Sequence, residues 1–243
     1  MYHAHFRGTH YEAGFRWGSL LLKHKNIILE NIPFEITQER IDYALSCLPI
    51  YEKYYHEIVE EIQGLADGQQ CDVRILQAVL FSMYSMPPSC NCSCFAFTTE
   101  QEILLGRNSD FLTEIERLNQ NVVYKLTDGV YSFTGNTTAF IEIEDGVNEH
   151  GLAVGLTSVY PNQCKPGFNA GMIVRYLLEK CKNVSEAVSC LYQLPIASAQ
   201  TLTLADAMGT ITVIECNAEQ IKVEKTLSAT PFCSVSACSR PAP

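Results

Sequence analysis

Apolar positions follow three successive grammars along the chain. In the first, they recur at helical spacing. Thr9-His10-Tyr11-Glu12 has the spacing of a capping box, in which a hydroxyl and a carboxylate each satisfy a free amide. Phe15, Leu20, Leu21, Leu22, Ile27, Ile28 and Leu29 then repeat with rough helical periodicity. A second helix is predicted over 50–66, with Tyr51, Tyr55, Ile58, Val59, Ile62 and Leu65 on one stripe and Asp67-Gly68 as its stop. Asp72 is placed to cap a third, carrying Ile75, Leu76, Val79, Leu80 and Met83 toward Pro87-Pro88. Two consecutive prolines end any helix, so this is the sharpest boundary in the sequence.

Beyond the prolines the pattern shortens to strand-like runs. Residues 93–99 and 102–108 read as a hairpin closed by Thr99-Glu100-Gln101-Glu102, and 122–126, 139–143 and 152–159 continue the series. Asp145-Gly146 and Glu149-His150-Gly151 are turn signals. Helices return over 169–181, with Asn169 as cap, and over 185–194; strands follow over 201–205, 210–216 and 220–225. The order is helices, strands, a helix pair, then strands. It predicts an α+β domain of two sheets with helices on their outer faces, not a doubly wound parallel sheet.

Composition narrows the function classes. The chain has 243 residues, 47% of them apolar and 18% charged, which suits a globular domain with or without a helical appendage. Its net charge is −10 with no run of Lys or Arg, so the basic footprint that nucleic acid or an anionic membrane surface requires is missing. No apolar stretch approaches the ~18 residues of a membrane span, and the amino terminus lacks the order of an export signal, so a cytoplasmic location is expected. Eleven cysteines at irregular spacing then read as buried free thiols in a reducing compartment.

The cluster Ser89-Cys90-Asn91-Cys92-Ser93-Cys94 stands apart, because it sits where the helical part ends and the first strand begins. Alternation puts its cysteines on one strand face, and three readings follow: plain buried residues, a thiolate metal site, or a catalytic thiol. The metal reading lacks the paired spacing of a fourth ligand. The catalytic reading needs a thiolate, and free cysteine titrates near pH ~8.5. The predicted hairpin returns Gly106-Arg107-Asn108-Ser109-Asp110 alongside, so Arg107 could offer fixed positive charge and Asp110 a carboxylate to orient a base. A plain surface ion pair is the competing reading of the same residues.

Cys92-Ser93-Cys94-Phe95, a short hairpin, then Gly106-Arg107-Asn108-Ser109-Asp110-Phe111 resembles the nucleophile region of the N-terminal-nucleophile linear amide hydrolases, which include choloylglycine hydrolases, acid ceramidase and isopenicillin N acyltransferase. Residues 8–15 with Gly18 resemble the opening helix of the acyltransferase branch. Residues 145–152 resemble the turn before an inner strand, and 204–215 a later strand pair. The resemblance implies a four-layer αββα fold, a helical propeptide segment over 1–91 and a catalytic chain over 92–243. It implies autocleavage of the Asn91–Cys92 bond, which frees an amine on Cys92 whose pKa of about 7.7–8 suits a general base. One residue then supplies nucleophile and base, and no catalytic histidine, metal or cofactor is required. Arg107 would steady the thiolate or the acyl carbonyl, Asp110 the new amine. Thr157 falls where relatives place a substrate-binding or oxyanion Asn; its alternative is a β-branched strand residue. The implied partner is a small acyl amide, with acyl-coenzyme A as a further acyl donor.

Two departures qualify the match. The interval from Cys92 to Arg107 is about one residue shorter than in relatives, which keeps Cys90 and Cys94 as alternative nucleophiles. After residue 236, relatives continue with an oxyanion Asn and further strands and helices. This sequence reads Ala237-Cys238-Ser239-Arg240-Pro241-Ala242-Pro243, so a catalytic unit incomplete at its carboxyl end is expected. Missing outer helices would expose apolar sheet, which is compatible with a homo-oligomer. The functional expectation is acyl transfer from an amide through a Cys92 thioester, to water or an amine. The rivals are an impaired remnant of that family and a cysteine-rich metal-binding module.

Overall fold

The computed structural model describes residues 2–86, 91–110, 113–159, 164–225 and 234–237. An eight-stranded sheet runs β1 (Tyr2–Gly8), β4 (Gln120–Leu126), β5 (Phe133–Thr137), β6 (Asp145–Asn148), β7 (Ala153–Val159), β8 (Ala199–Ala205), β9 (Ile211–Cys216) and β10 (Ile221–Lys225). Every pair is antiparallel except β1 with β4. A three-stranded sheet, β2 (Asn91–Thr98) between β3 (Ile103–Asp110) and β11 (Ser234–Ala237), lies against β7 and β8. The other face of the large sheet carries the helices: α1 (His10–Lys23), α2 (Gln38–Tyr54), α3 (His56–Gln69), α4 (Val73–Ser82), α5 (Ala170–Lys180) and α6 (Val184–Leu191). This is the expected α+β architecture of two stacked sheets; three of its layers lie among the described residues. On the outer face of the small sheet, Phe95 and Leu104 are exposed.

Local chemistry sets the element ends. Thr9 and Glu12 form the capping box of α1, Asp72 caps α4 and Asn169 caps α5. At the β2–β3 turn the Thr99 hydroxyl accepts from the Gln101 and Glu102 amides. α1 and α3 cross with their backbones in contact. A Cβ on Gly14 would lie 2.2 Å from the Glu61 carbonyl oxygen and one on Gly64 2.2 Å from that of Tyr11; Gly18 and Gly68 repeat the arrangement one turn on.

Several strand expectations are corrected. Residues 2–8, with no strand predicted, form β1, because the partner that satisfies their backbone is the distant β4. Residues 139–143 are not a strand. Phe140 holds φ at 60° and the Gln120 amide donates to its carbonyl, so the chain turns there. Asp145-Gly146, read as a turn, opens β6. The amino-terminal helices share one apolar core with the large sheet, formed by Tyr51, Ile58, Ile62, Leu80 and Phe81 together with Val122, Leu156, Phe168 and Leu177.

Fully buried charge joins the two parts of that core. Arg175 on α5 donates to both carboxylate oxygens of Glu61 on α3, to the Ile141 carbonyl at 2.9 Å and to Glu179 at 3.0 Å. Glu179 also accepts from Tyr55 and lies 3.1 Å from His10 Nε2, while His10 Nδ1 lies 2.7 Å from Asp128. Burial alone would lower the His10 pKa, but Glu179 outweighs it and raises the value to about 9. The imidazolium therefore donates from both nitrogens. Burial opposes the Glu179 charge too, yet Arg175 and His10 hold its pKa at about 2.

Candidate active site

Period-two alternation on β2 buries Cys92, Cys94 and Ala96 between the sheets and turns Phe95 outward. The ladder with β3 pairs Cys92 with Ser109, Cys94 with Arg107 and Asn91 with Asp110. From its place opposite Cys94, Arg107 reaches diagonally, and Nη2 donates to the Cys92 sulfur at 3.3 Å. Nη1 donates to Glu144 Oε2 at 3.0 Å and Nε to the Leu156 carbonyl at 2.6 Å. The guanidinium is thus fixed on three sides.

The strand that completes the site is β7. Its ladder with β6 ends at the pair Asp145–Gly155. One residue further on, the Leu156 amide donates to the Glu144 carbonyl at 2.9 Å. On the same edge, the Leu156 carbonyl accepts from Arg107 and the Ser158 amide donates to the Cys92 sulfur. Within an antiparallel strand the amide and carbonyl of one residue point to the same side, and alternate residues share that side. Where β6 begins, the Leu156 carbonyl and the Ser158 amide are therefore left without a strand partner on that edge, and the site uses both.

Burial raises the Cys92 pKa; Arg107 and the Ser158 amide pull it down, and Glu144 pushes it up again. Burial wins, so the thiol is protonated at neutral pH in this uncut chain. The sequence reading cast Arg107 as fixed positive charge for the thiolate, with a surface ion pair as the competing reading. In the structure its charge is shared with Glu144, and with Asp145 at 3.7 Å, which weakens its pull on sulfur.

Behind Arg107, Glu144 accepts from Tyr84 at 2.9 Å and from Thr138 at 2.8 Å. Glu142 lies beside it, fully buried, with neither carboxylate oxygen hydrogen-bonded among the described residues. Burial pushes its pKa well above the ordinary value. The Asn169 amide gives little relief, since it is spent on the Leu80 carbonyl at 2.6 Å. Burial therefore favours the neutral carboxyl. None of Tyr84, Thr138, Glu142, Glu144 and Ser158 was assigned from sequence. The alternation Ile141-Glu142-Ile143-Glu144 imitates a half-exposed strand; two glutamates inside a buried stretch were the available signal.

The remaining expected residues are placed as follows. Asp110 is exposed at the open end of the ladder, across from Asn91, and accepts from the Asn108 amide at 2.6 Å. Thr157 is buried on β7, paired with Thr201. It shares the strand face on which Gly155 abuts the Cys94 sulfur, the face turned toward the small sheet. Cys94 is buried there with its pKa raised by burial. Cys90 and the carboxyl-terminal tail 238–243 lie outside the described residues. Among the described residues no group of three or more His, Cys, Asp or Glu is arranged to hold a metal ion. No described helix is long and apolar enough to cross a membrane.

Two stacked sheets with a buried thiol–guanidinium pair between them define the protein at the level of fold and site. The chain belongs to the acyl-coenzyme A:6-aminopenicillanic acid acyl-transferase family, whose sequence model matches residues 97–230. That stretch holds Arg107, Asp110 and Thr157 and begins just after Cys92. Among solved structures, penicillin V acylase from Agrobacterium tumefaciens is similar at 18% identity and a TM-score of 0.35, over 56% of this chain and 41% of that one. A mutant conjugated bile acid hydrolase from Clostridium perfringens is similar at 16% identity and a TM-score of 0.45, over 62% of this chain and 54% of that one. The chain spans about half the length of these structures. No curated protein matches it.

Proposed function

We propose that this protein is an autoprocessed cysteine amidase or acyltransferase acting on a linear amide, with Cys92 as nucleophile. The observation that carries the reading is the Cys92 sulfur itself, buried between two sheets and met by Arg107 at 3.3 Å and by the Ser158 amide. Maturation begins when this sulfur attacks the Asn91 carbonyl. The carbon–nitrogen bond breaks, the nitrogen takes the thiol proton, and a thioester remains. Water then cleaves the thioester, leaving an Asn91 carboxylate, a free Cys92 thiol and a new α-amine.

The amine is the base that the buried thiol lacks. It accepts the thiol proton as sulfur attacks the substrate carbonyl, and returns it to the departing amine. The acyl group, left as a Cys92 thioester, passes to water or to a second amine. Arg107 and the Ser158 amide are donors toward sulfur and the forming oxyanion, worth about a hundred- to a thousandfold each where such a donor acts alone. Asp110, across the ladder from Asn91, accepts from the new amine, and Thr157 donates toward the substrate. Acyl-coenzyme A serves as an alternative acyl donor. Membership of the acyl-transferase family supports the reaction class.

Intact mass under denaturing conditions is the test. Two pieces meeting between Asn91 and Cys92 are expected, and Cys92→Ala should stay whole and inactive. Wild-type protein that remains uncut yet turns over amides would overturn the mechanism. The matured enzyme should gain activity as pH rises through about 8, as its amine loses a proton; a rate falling through that range contradicts the amine as base.

A further inference from the structure

At the β1 edge of the large sheet, β1 and α1 line a cavity of about 620 Å³. That lies within the ~300–1,000 Å³ usual for small-molecule sites. Its apolar wall is built from Ala4, Phe6, Trp17, Leu21, Ile28 and Phe140. Cys92 is not part of it. The nearest link is Thr138, which lines the cavity and gives its hydroxyl to Glu144.

The charge of the lining departs from that of the chain. The sequence has 27 acidic residues against 17 basic ones, yet no Asp or Glu lines this cavity. Arg7, Arg16 and His24 do, and among the described residues none of them has a carboxylate partner. Arg16 stands on α1 and His24 caps its carboxyl end, both exposed to solvent. A second observation points to the same place. Phe140, whose side chain belongs to the wall, holds the left-handed backbone conformation that a bulky residue adopts only under constraint. Such strain concentrates where a ligand is clamped.

We propose that this cavity binds an amphipathic carboxylate, an aliphatic or arylalkyl acid with its tail among Phe6, Trp17, Leu21 and Phe140 and its head group at Arg16. The tail gains from leaving water, roughly 0.8 kcal/mol for each buried methylene. The head group meets the Arg16 guanidinium, which has no carboxylate partner among the described residues. The site is separate from Cys92, so the proposal does not depend on acyl transfer.

Trp17 is the only tryptophan in the chain, so its fluorescence reports this wall alone. Uncut Cys92→Ala protein would be titrated with decanoate, decanol and decyltrimethylammonium at pH 7 and low salt. A saturable shift of Trp17 emission is expected with decanoate, at an affinity at least tenfold above that for decyltrimethylammonium. Arg16→Glu, an exposed change, should weaken decanoate fivefold or more with the circular dichroism spectrum unchanged. Arg16→Gln should give an intermediate loss. Equal affinity for the cationic and anionic chains, an unsaturable response, or decanoate binding untouched by either Arg16 variant overturns the proposal.

Discussion

The protein buries two charge clusters, and they are finished to different standards. Around Arg175, the guanidinium spends Nε, Nη1 and Nη2 on partners, both Glu61 oxygens accept, and Glu179 is bonded by Arg175, Tyr55 and His10. Around Cys92, a neutral thiol sits beside a guanidinium already claimed by Glu144, and Glu142 has no partner at all among the described residues. A completed cluster fixes one arrangement, because any change leaves a buried charge alone. An incomplete one retains groups that can accept or release protons, which chemistry requires. The first cluster joins α1, α3 and α5 to the sheet; the second faces the bond proposed for cleavage.

Substitutions can break this contrast, and the largest effect belongs to the finished cluster. Arg175→Ala strands two buried carboxylates and should cost about 3–5 kcal/mol in chemical denaturation of the uncut Cys92→Ala chain. A loss under 1 kcal/mol would show that the cluster is not interlocked. His10 comes next. Its folded pKa of about 9 exceeds the ordinary 6.5, so its stabilisation is complete below pH 6.5 and fades as pH rises through 9. His10→Gln should therefore cost up to about 3 kcal/mol more at pH 6 than at pH 10; an equal loss at both would exclude a buried imidazolium.

Smaller effects are expected at the unfinished cluster. Arg107→Gln removes the cation beside sulfur and should slow labelling of Cys92 by a thiol reagent about tenfold at pH 8, the consequence of a one-unit rise in pKa. Unchanged labelling would mean that Glu144 already cancels the guanidinium. Glu142 should give the least. Its folded pKa lies above 4.5, so it binds more protons folded than unfolded, and it lowers stability as pH climbs from 4.5 toward the folded value. Glu142→Gln should flatten that decline and stabilise the chain by about 1 kcal/mol at pH 8. A destabilised variant would reveal a partner for the ionised carboxylate.

What could be read from sequence was local. The Thr9–Glu12 box, the Asp72 and Asn169 caps and the Thr99–Glu102 turn depend on residues within four positions of one another, and all four form. The hairpin register also brings Arg107 to Cys92 once the turn is located. What escaped depends on distant partners. β1 exists only because β4 lies beside it. Glu144 enters the site only because β6 begins one residue after it, leaving the β7 edge to Arg107 and sulfur. The Ile-Glu-Ile-Glu alternation was misleading, since burial on α5 and the turn at Phe140 override its period.

The crossing of α1 and α3 has one more consequence. Four glycines let two backbones touch, so no side chain lies between them to shift and absorb a displacement. The pair must move as a single bar, and a tilt of α3 is handed undiminished to the wall that carries Trp17. Even one methyl group at Gly14 or Gly64 would pry the bar open, which makes those positions the least forgiving places in the amino-terminal third for any residue with a side chain.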